Sequence, residues 1–123
     1  MKRSEINNIM LEADEFIQKF GFKLPPFAYW SASQFKKKKA DASEIIRSRC
    51  GWDIPDYGCG KFHEMGLILF TLRNGKLEHL SRGRGMCYAE KLLVSKKDQI
   101  SPMHTHIVKA EDIINRGGAD LII

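Results

Sequence analysis

Pro102-Met103-His104-Thr105-His106 is the stretch of this sequence whose residue types can do chemistry together. On an extended backbone successive side chains alternate faces, so His104 and His106 project to one side and Met103, Thr105 and Ile107 to the other. Two imidazoles on one face, about 7 Å apart at their Cα atoms, can converge on a single divalent ion. Glu111 follows after Ile107-Val108-Lys109-Ala110, and a turn there returns its carboxylate to the same ion. Two histidines and one carboxylate with open positions suit Mn, Fe, Co, Ni or Zn. A histidine standing alone is ordinarily a surface or satisfied core residue, and His63 and His79, which lack such company, are read that way.

Several elements must position that motif. Apolar residues at Ile6, Ile9, Met10, Ala13, Ile17 and Phe20 recur at helical steps and predict an amphipathic helix, with Ser4 capping its start and Gly21 its end. Leu24-Pro25-Pro26-Phe27 forces an extended segment, because each proline fixes φ and lacks a donor. Ser31 is a candidate cap for a short lysine-rich helix reaching Lys39, with another short turn over Asp41 to Ser48. After Cys50, glycines and prolines punctuate short apolar runs in the cadence of strands and turns. The predicted strands are Phe62 to Arg73, Lys76 to Leu80, Met86 to Ser95, Ser101 to Val108, Glu111 to Asn115 and Ala119 to Ile123. Asn74-Gly75 is the strongest local hairpin signal, since both residues tolerate the geometry of a type I′ turn. Ala89, Lys91 and Leu93 share a strand face opposite Tyr88, Glu90, Leu92 and Val94, and periodicity leaves open which face is inside. The fold class predicted is mainly β with an N-terminal α-helix.

Composition narrows the setting. A chain of 123 residues with 43% hydrophobic and 28% charged residues describes one small globular domain. The basic start Met1-Lys2-Arg3 runs into Glu12, Asp14 and Glu15 instead of an apolar run, so no secretory signal is expected. The longest apolar stretch, Met65 to Phe70, is far short of a membrane span, which needs about 20 residues. Cys50, Cys59 and Cys87 cannot all pair and form no C-x-x-C, so free thiols in a reducing cytoplasm are expected. Much of the excess positive charge sits in Lys36-Lys37-Lys38-Lys39, read as a solvated helix end in preference to a phosphate-binding patch, because no second basic cluster extends a nucleic-acid footprint. Arg82-Gly83-Arg84-Gly85 reads as a turn. Asp53, Asp56, Glu64 and Glu90 are read as turn or surface carboxylates in preference to catalytic bases.

His104-x-His106-x4-Glu111-x6-Gly118 resembles the first motif of the cupins, with Asp98 where that motif opens on a glycine. More specifically, the chain resembles the D-lyxose isomerase family. The stretches that carry this are Met1-Lys2-Arg3-Ser4-Glu5-Ile6-Asn7, Leu24-Pro25-Pro26-Phe27-Ala28, Gly51-Trp52-Asp53-Ile54, Tyr88-Ala89-Glu90-Lys91, Pro102-Met103-His104-Thr105-His106, and Glu111-Asp112-Ile113-Ile114-Asn115-Arg116-Gly117-Gly118. The resemblance implies a cupin-type jelly-roll barrel, with 1–50 a helical and extended arm packing on a partial barrel at 51–123, one domain overall. It implies that His104, His106 and Glu111 are metal ligands, the metal being Mn2+ with Zn, Co, Fe or Ni as alternatives. It implies that Lys91 points into the barrel and contacts a pentose or hexose sugar, and that the chain forms a homo-oligomer, a dimer by expectation.

The reaction implied interconverts D-lyxose and D-xylulose, and D-mannose and D-fructose, by proton transfer through an enediol. A second cupin motif with a fourth ligand is absent from the sequence, so the expectation is an incomplete barrel lacking C-terminal strands, marginally stable or self-associating, and weakly active or inactive. Two other readings stay open: a non-catalytic metal- or sugar-binding remnant, and a basic nucleic-acid-associated protein using Lys36 to Lys39.

Overall fold

The computed structural model describes residues 1–107 and 110–123. The predicted N-terminal helix is present as α1 (Arg3–Gln18), and its apolar stripe is what it buries, with Ile9, Ala13 and Ile17 all inaccessible. Ser4 lies inside the helix rather than capping it; the N–H of Lys2 donates to the Glu5 carboxylate across the first turn. Gly21 adopts a φ of 74° just past the C-terminus, where its N–H donates to the Gln18 carbonyl, so the predicted stop is in place.

A 3-10 turn at Pro26–Tyr29 leads to α2 (Ala32–Lys37) and α3 (Lys39–Arg47). Ser31 caps α2 as expected: its hydroxyl accepts from the Gln34 N–H while the Gln34 side-chain oxygen accepts from the Ser31 N–H. The lysine-rich segment is two helices broken at Lys38, whose ammonium lies 5.2 Å from the Trp30 ring centroid. Lys36 and Lys37 occupy the last turn of α2, where positive charge complements the helix dipole, which supports the solvated helix-end reading.

Three strands form one antiparallel sheet in the order β1 (Gly51–Asp53), β2 (Ile68–Asn74), β3 (Ala89–Val94). The register pairs Trp52 with Phe70 and Phe70 with Leu92, and places these on the face covered by α1. One core cluster joins Ile9 and Ala13 to Phe62 and Ile68; a second joins Ile17 and Leu24 to Phe70, with Trp52 and Val94 packed against both. The Phe70 ring stacks on Phe27 at 5.5 Å and meets Trp52 edge-on at 5.1 Å. The other sheet face carries two rows, Gly51–Thr71–Lys91 and Asp53–Leu69–Leu93.

Several expectations need correction. Lys76 to Leu80 is not a strand: Leu77–Arg82 forms a short helix, α4, whose Leu77 and Leu80 stand three residues apart as a helix period requires. Asn74-Gly75 therefore does not close a two-residue hairpin. Gly75 instead donates to the Tyr88 carbonyl, and the ladder resumes at Ala89 after an excursion through α4. That excursion ends in the expected Arg82–Gly85 turn, with Gly83 and Gly85 both at positive φ. The short strand β1 went unforeseen. Glu111 to Asn115 and Ala119 to Ile123 are not strands, nor are the described residues of Ser101 to Val108; Val108 itself lies outside the described residues. A strand exists only where a neighbour takes its N–H and C=O groups, and among the described residues the sole bridge formed near this segment joins Met65 to Ile100. The architecture is thus a small mixed α/β arrangement, not a mainly β one. Among the described residues no helix is long and apolar enough to cross a membrane. All three cysteines are free thiols, and burial pushes the Cys50 thiol up from its usual range.

Candidate metal centre

The site is held from its N-terminal side. The Ile100 N–H donates to the Glu64 carbonyl, the Gly66 N–H to the Ile100 carbonyl, and the Gln99 side-chain amide to the Phe62 carbonyl at 2.6 Å. Phe62 is buried in the core, so this loop ties the following segment to the α1 layer. Ser101 adds a hydroxyl contact to Tyr57 at 3.2 Å, and Pro102, with its fixed φ, stiffens the entry to the histidines.

Beyond Pro102 the two imidazoles turn toward each other as alternation predicts. Their ring centroids are 4.7 Å apart at an interplanar angle of 79°, and their Nε2 atoms are 3.2 Å apart. His106 Nε2 is in turn 3.2 Å from a Glu111 carboxylate oxygen. Val108 and Lys109, between the two in sequence, lie outside the described residues. The trio is accessible, the His106 side chain 29% and the Glu111 side chain 44% exposed.

The protonation chemistry of the cluster follows from one further contact. His104 Nδ1 is 2.9 Å from the Pro102 carbonyl, which can only accept, so Nδ1 carries the proton and Nε2 keeps its lone pair. Metal-binding histidines are oriented in this way, by a carbonyl on the distal nitrogen. His104 Nε2, His106 Nε2 and the Glu111 oxygen then stand in succession as three candidate donor atoms.

The two 3.2 Å separations match those of neighbouring ligands on one ion, since nitrogen donors at about 2.1 Å subtending angles between a right angle and tetrahedral stand roughly 3.0–3.4 Å apart. As the side chains stand, no group of three or more His, Cys, Asp or Glu among the described residues could hold an ion. The donors fit a divalent cation in type and in pairwise spacing, but as they stand they do not surround a common centre.

Lys91 is elsewhere, on β3 opposite Thr71 and exposed on the uncovered sheet face. Of the four carboxylates weighed as bases, Asp56 accepts from the Gly58 N–H, Glu64 pairs with Lys61, and Glu90 pairs with Arg73 at 2.9 Å, as turn and surface acids do. His63 lies edge-on to Phe62, while the His79 Nδ1 is buried without a partner and its ring is packed by Gly85. The orienting carbonyl of Pro102 is the feature of the site that sequence reasoning missed; its only signal was a proline two residues before a histidine.

A helix-backed antiparallel sheet, followed along the chain by a His–His–Glu cluster, defines a small α/β domain. The sequence profile of the family described as D-lyxose isomerase matches residues 1–123. A protein of Escherichia coli O157:H7 described as D-lyxose/D-mannose isomerase is 42% identical over 124 aligned positions, covering 100% of this chain and 54% of that protein. A Serratia proteamaculans protein of the same description is 40% identical, again covering 100% of this chain and 54% of its own length. The chain belongs to the D-lyxose isomerase family. It spans about half the length of the curated relatives it matches.

Proposed function

We propose that the chain serves aldose–ketose isomerisation, of D-lyxose to D-xylulose and of D-mannose to D-fructose, with His104, His106 and Glu111 holding a divalent metal, Mn2+ first among candidates. The observation that carries this is the contact chain from Pro102 through His104 and His106 to Glu111. Family membership and relatives described as D-lyxose/D-mannose isomerases support the substrate class. In this reading the three-stranded sheet is part of a cupin-type barrel, and three free thiols suit a reducing cytoplasm.

A divalent cation at the trio would supply Lewis acidity toward the carbonyl and adjacent hydroxyl oxygens of the sugar. The chain's own residues set up the rest. The Pro102 carbonyl keeps the His104 proton on Nδ1, so Nε2 is available as a donor atom. His106 would join it through the lone pair of its own Nε2, and Glu111 would contribute negative charge. Lys91 holds a sugar oxygen through a charge-assisted hydrogen bond.

The test is Mn2+ titration of the protein, followed by paramagnetic relaxation of water protons, with ketose formation from D-lyxose as a second readout. One equivalent of Mn2+ should bind, and His104→Ala should weaken it by at least tenfold while His63→Ala leaves it unchanged. Equal Mn2+ affinity in the His104→Ala protein would remove the trio from the site. Metal binding without ketose favours the reading of a non-catalytic metal-binding relative.

A further inference from the structure

The sheet face away from α1 carries opposite charges on its two outer strands, Asp53 and Lys91 exposed, with half-buried Leu69 and buried Thr71 between them. Asp53 stands on β1 and Lys91 on β3, and the register puts both on the same face, with Leu69 and Leu93 in Asp53's row and Thr71 beside Lys91. Both charged residues are exposed, and among the described residues neither makes a side-chain hydrogen bond or ion pair. Asp53 differs in this from Asp56, Glu64 and Glu90, each of which is engaged locally. Two strand spacings and a two-residue offset separate Asp53 from Lys91, about 12 Å between Cα atoms, and the four-carbon lysine stem narrows the gap to the scale of a monosaccharide. Gly51, in Lys91's row, presents no side chain, and the space beside it is open.

We propose that Asp53 is a sugar-binding residue that works with Lys91, the two side chains gripping a polyol chain across the open face of the sheet. A carboxylate accepts hydrogen bonds from two neighbouring hydroxyls at once, an ammonium donates to an oxygen further along the chain, and Leu69 and Leu93 meet the C–H side of the ligand. This rests on the sugar-isomerase reading above and names the residue that fixes the far end of its substrate.

The experiment is ligand-observed NMR and calorimetry with D-lyxose and with xylitol, a polyol that cannot react. Asp53→Asn should weaken xylitol binding roughly tenfold, the loss expected for hydrogen bonds to a charged group, and Lys91→Met should do the same. Mn2+ binding should stay unchanged in both variants, whereas His104→Ala should weaken it. Asp53→Ser, with a helix and sheet content matching the unaltered protein by circular dichroism, must weaken xylitol as Asp53→Asn does. Unchanged xylitol affinity in the Asp53 variants, with Lys91→Met weakened, would overturn the proposal and leave the sugar-isomerase reading standing. No binding of either sugar by the unaltered protein at millimolar ligand would bring down both.

Discussion

His104 Nε2 faces His106 Nε2, which faces a Glu111 oxygen, each step 3.2 Å, and this arrangement leaves more lone pairs than protons. The imidazole pair was legible in the sequence because alternation of side chains does not need a strand with a partner, and the two rings meet without a ladder. The role of the Pro102 carbonyl was not legible, since a backbone acceptor is common to every residue and only geometry selects it. A different single-residue contact carries a pH signature. The Lys96 ammonium, 2.6 Å from the Glu12 carboxylate, holds that carboxyl below its ordinary value, first through the hydrogen bond and then through charge attraction. A carboxyl depressed in the folded state adds stability that is present above its unfolded value, near 4.5, and is lost as pH falls through the folded value. Urea midpoints of the unaltered protein and of Glu12→Gln should therefore differ at neutral pH and converge in acid, and added salt should shrink the neutral-pH gap because both groups are exposed. A gap that widens in acid would contradict this assignment.

At the level of elements, the helices and sheet that the sequence made legible are those whose apolar period is long enough to outvote local signals. The stripe of α1 spans sixteen residues and β3 keeps strict alternation, with Leu92 and Val94 turned to the core and Lys91 and Leu93 away from it. Lys76 to Leu80 is only five residues, too few for an apolar period to separate helix from strand, and Asn74-Gly75 promised a tight hairpin that the packing of Gly75 against the Met86 carbonyl replaces. A Cβ at Gly75 would stand 2.5 Å from that oxygen, so the chain passes there only with glycine. The expected strands beyond Ser101 failed for a different reason: propensity and hydrophobicity favour pairing, but a ladder needs a neighbour, and the described residues there have none. Phe70, 1% exposed, joins Ile17 of α1 in the second core cluster and is in ring contact with both Phe27 and Trp52. Truncating it leaves a cavity at the junction of β1, β2 and the α1 layer. Phe70→Ala should lower the unfolding free energy by about 3–5 kcal/mol, read as a shift in urea midpoint, whereas Leu11→Ala, on the solvent side of α1, should change it by less than about 0.5 kcal/mol.

Across the whole molecule, apolar surface is distributed unevenly between the two sides of the sheet. The α1 side closes over both core clusters, while the opposite side exposes 54% of Leu93, and the extended segment presents Met103, Ile107, Ile122 and Ile123 almost fully to solvent. Edge strand β1 is only three residues long and has one pairing partner, β2. Exposed apolar area and an unpaired strand edge both favour association, and a net charge of +5 opposes it only while salt is low. Sedimentation equilibrium should show reversible association that strengthens with protein concentration and with salt. Replacing Leu93 and Ile122 together by threonine, which removes apolar area without adding charge, should weaken that association by tenfold or more, since each side chain withdraws up to about 1.5–3 kcal/mol of transfer free energy on full burial. A monomer whose mass stays constant over the concentration range at high salt would show instead that these side chains fold back on one another in solution. The same measurement repeated with Mn2+ separates the two sources of association, because ordering of His104, His106 and Glu111 acts on the extended segment that bears Met103 and Ile107 and leaves the sheet face unchanged.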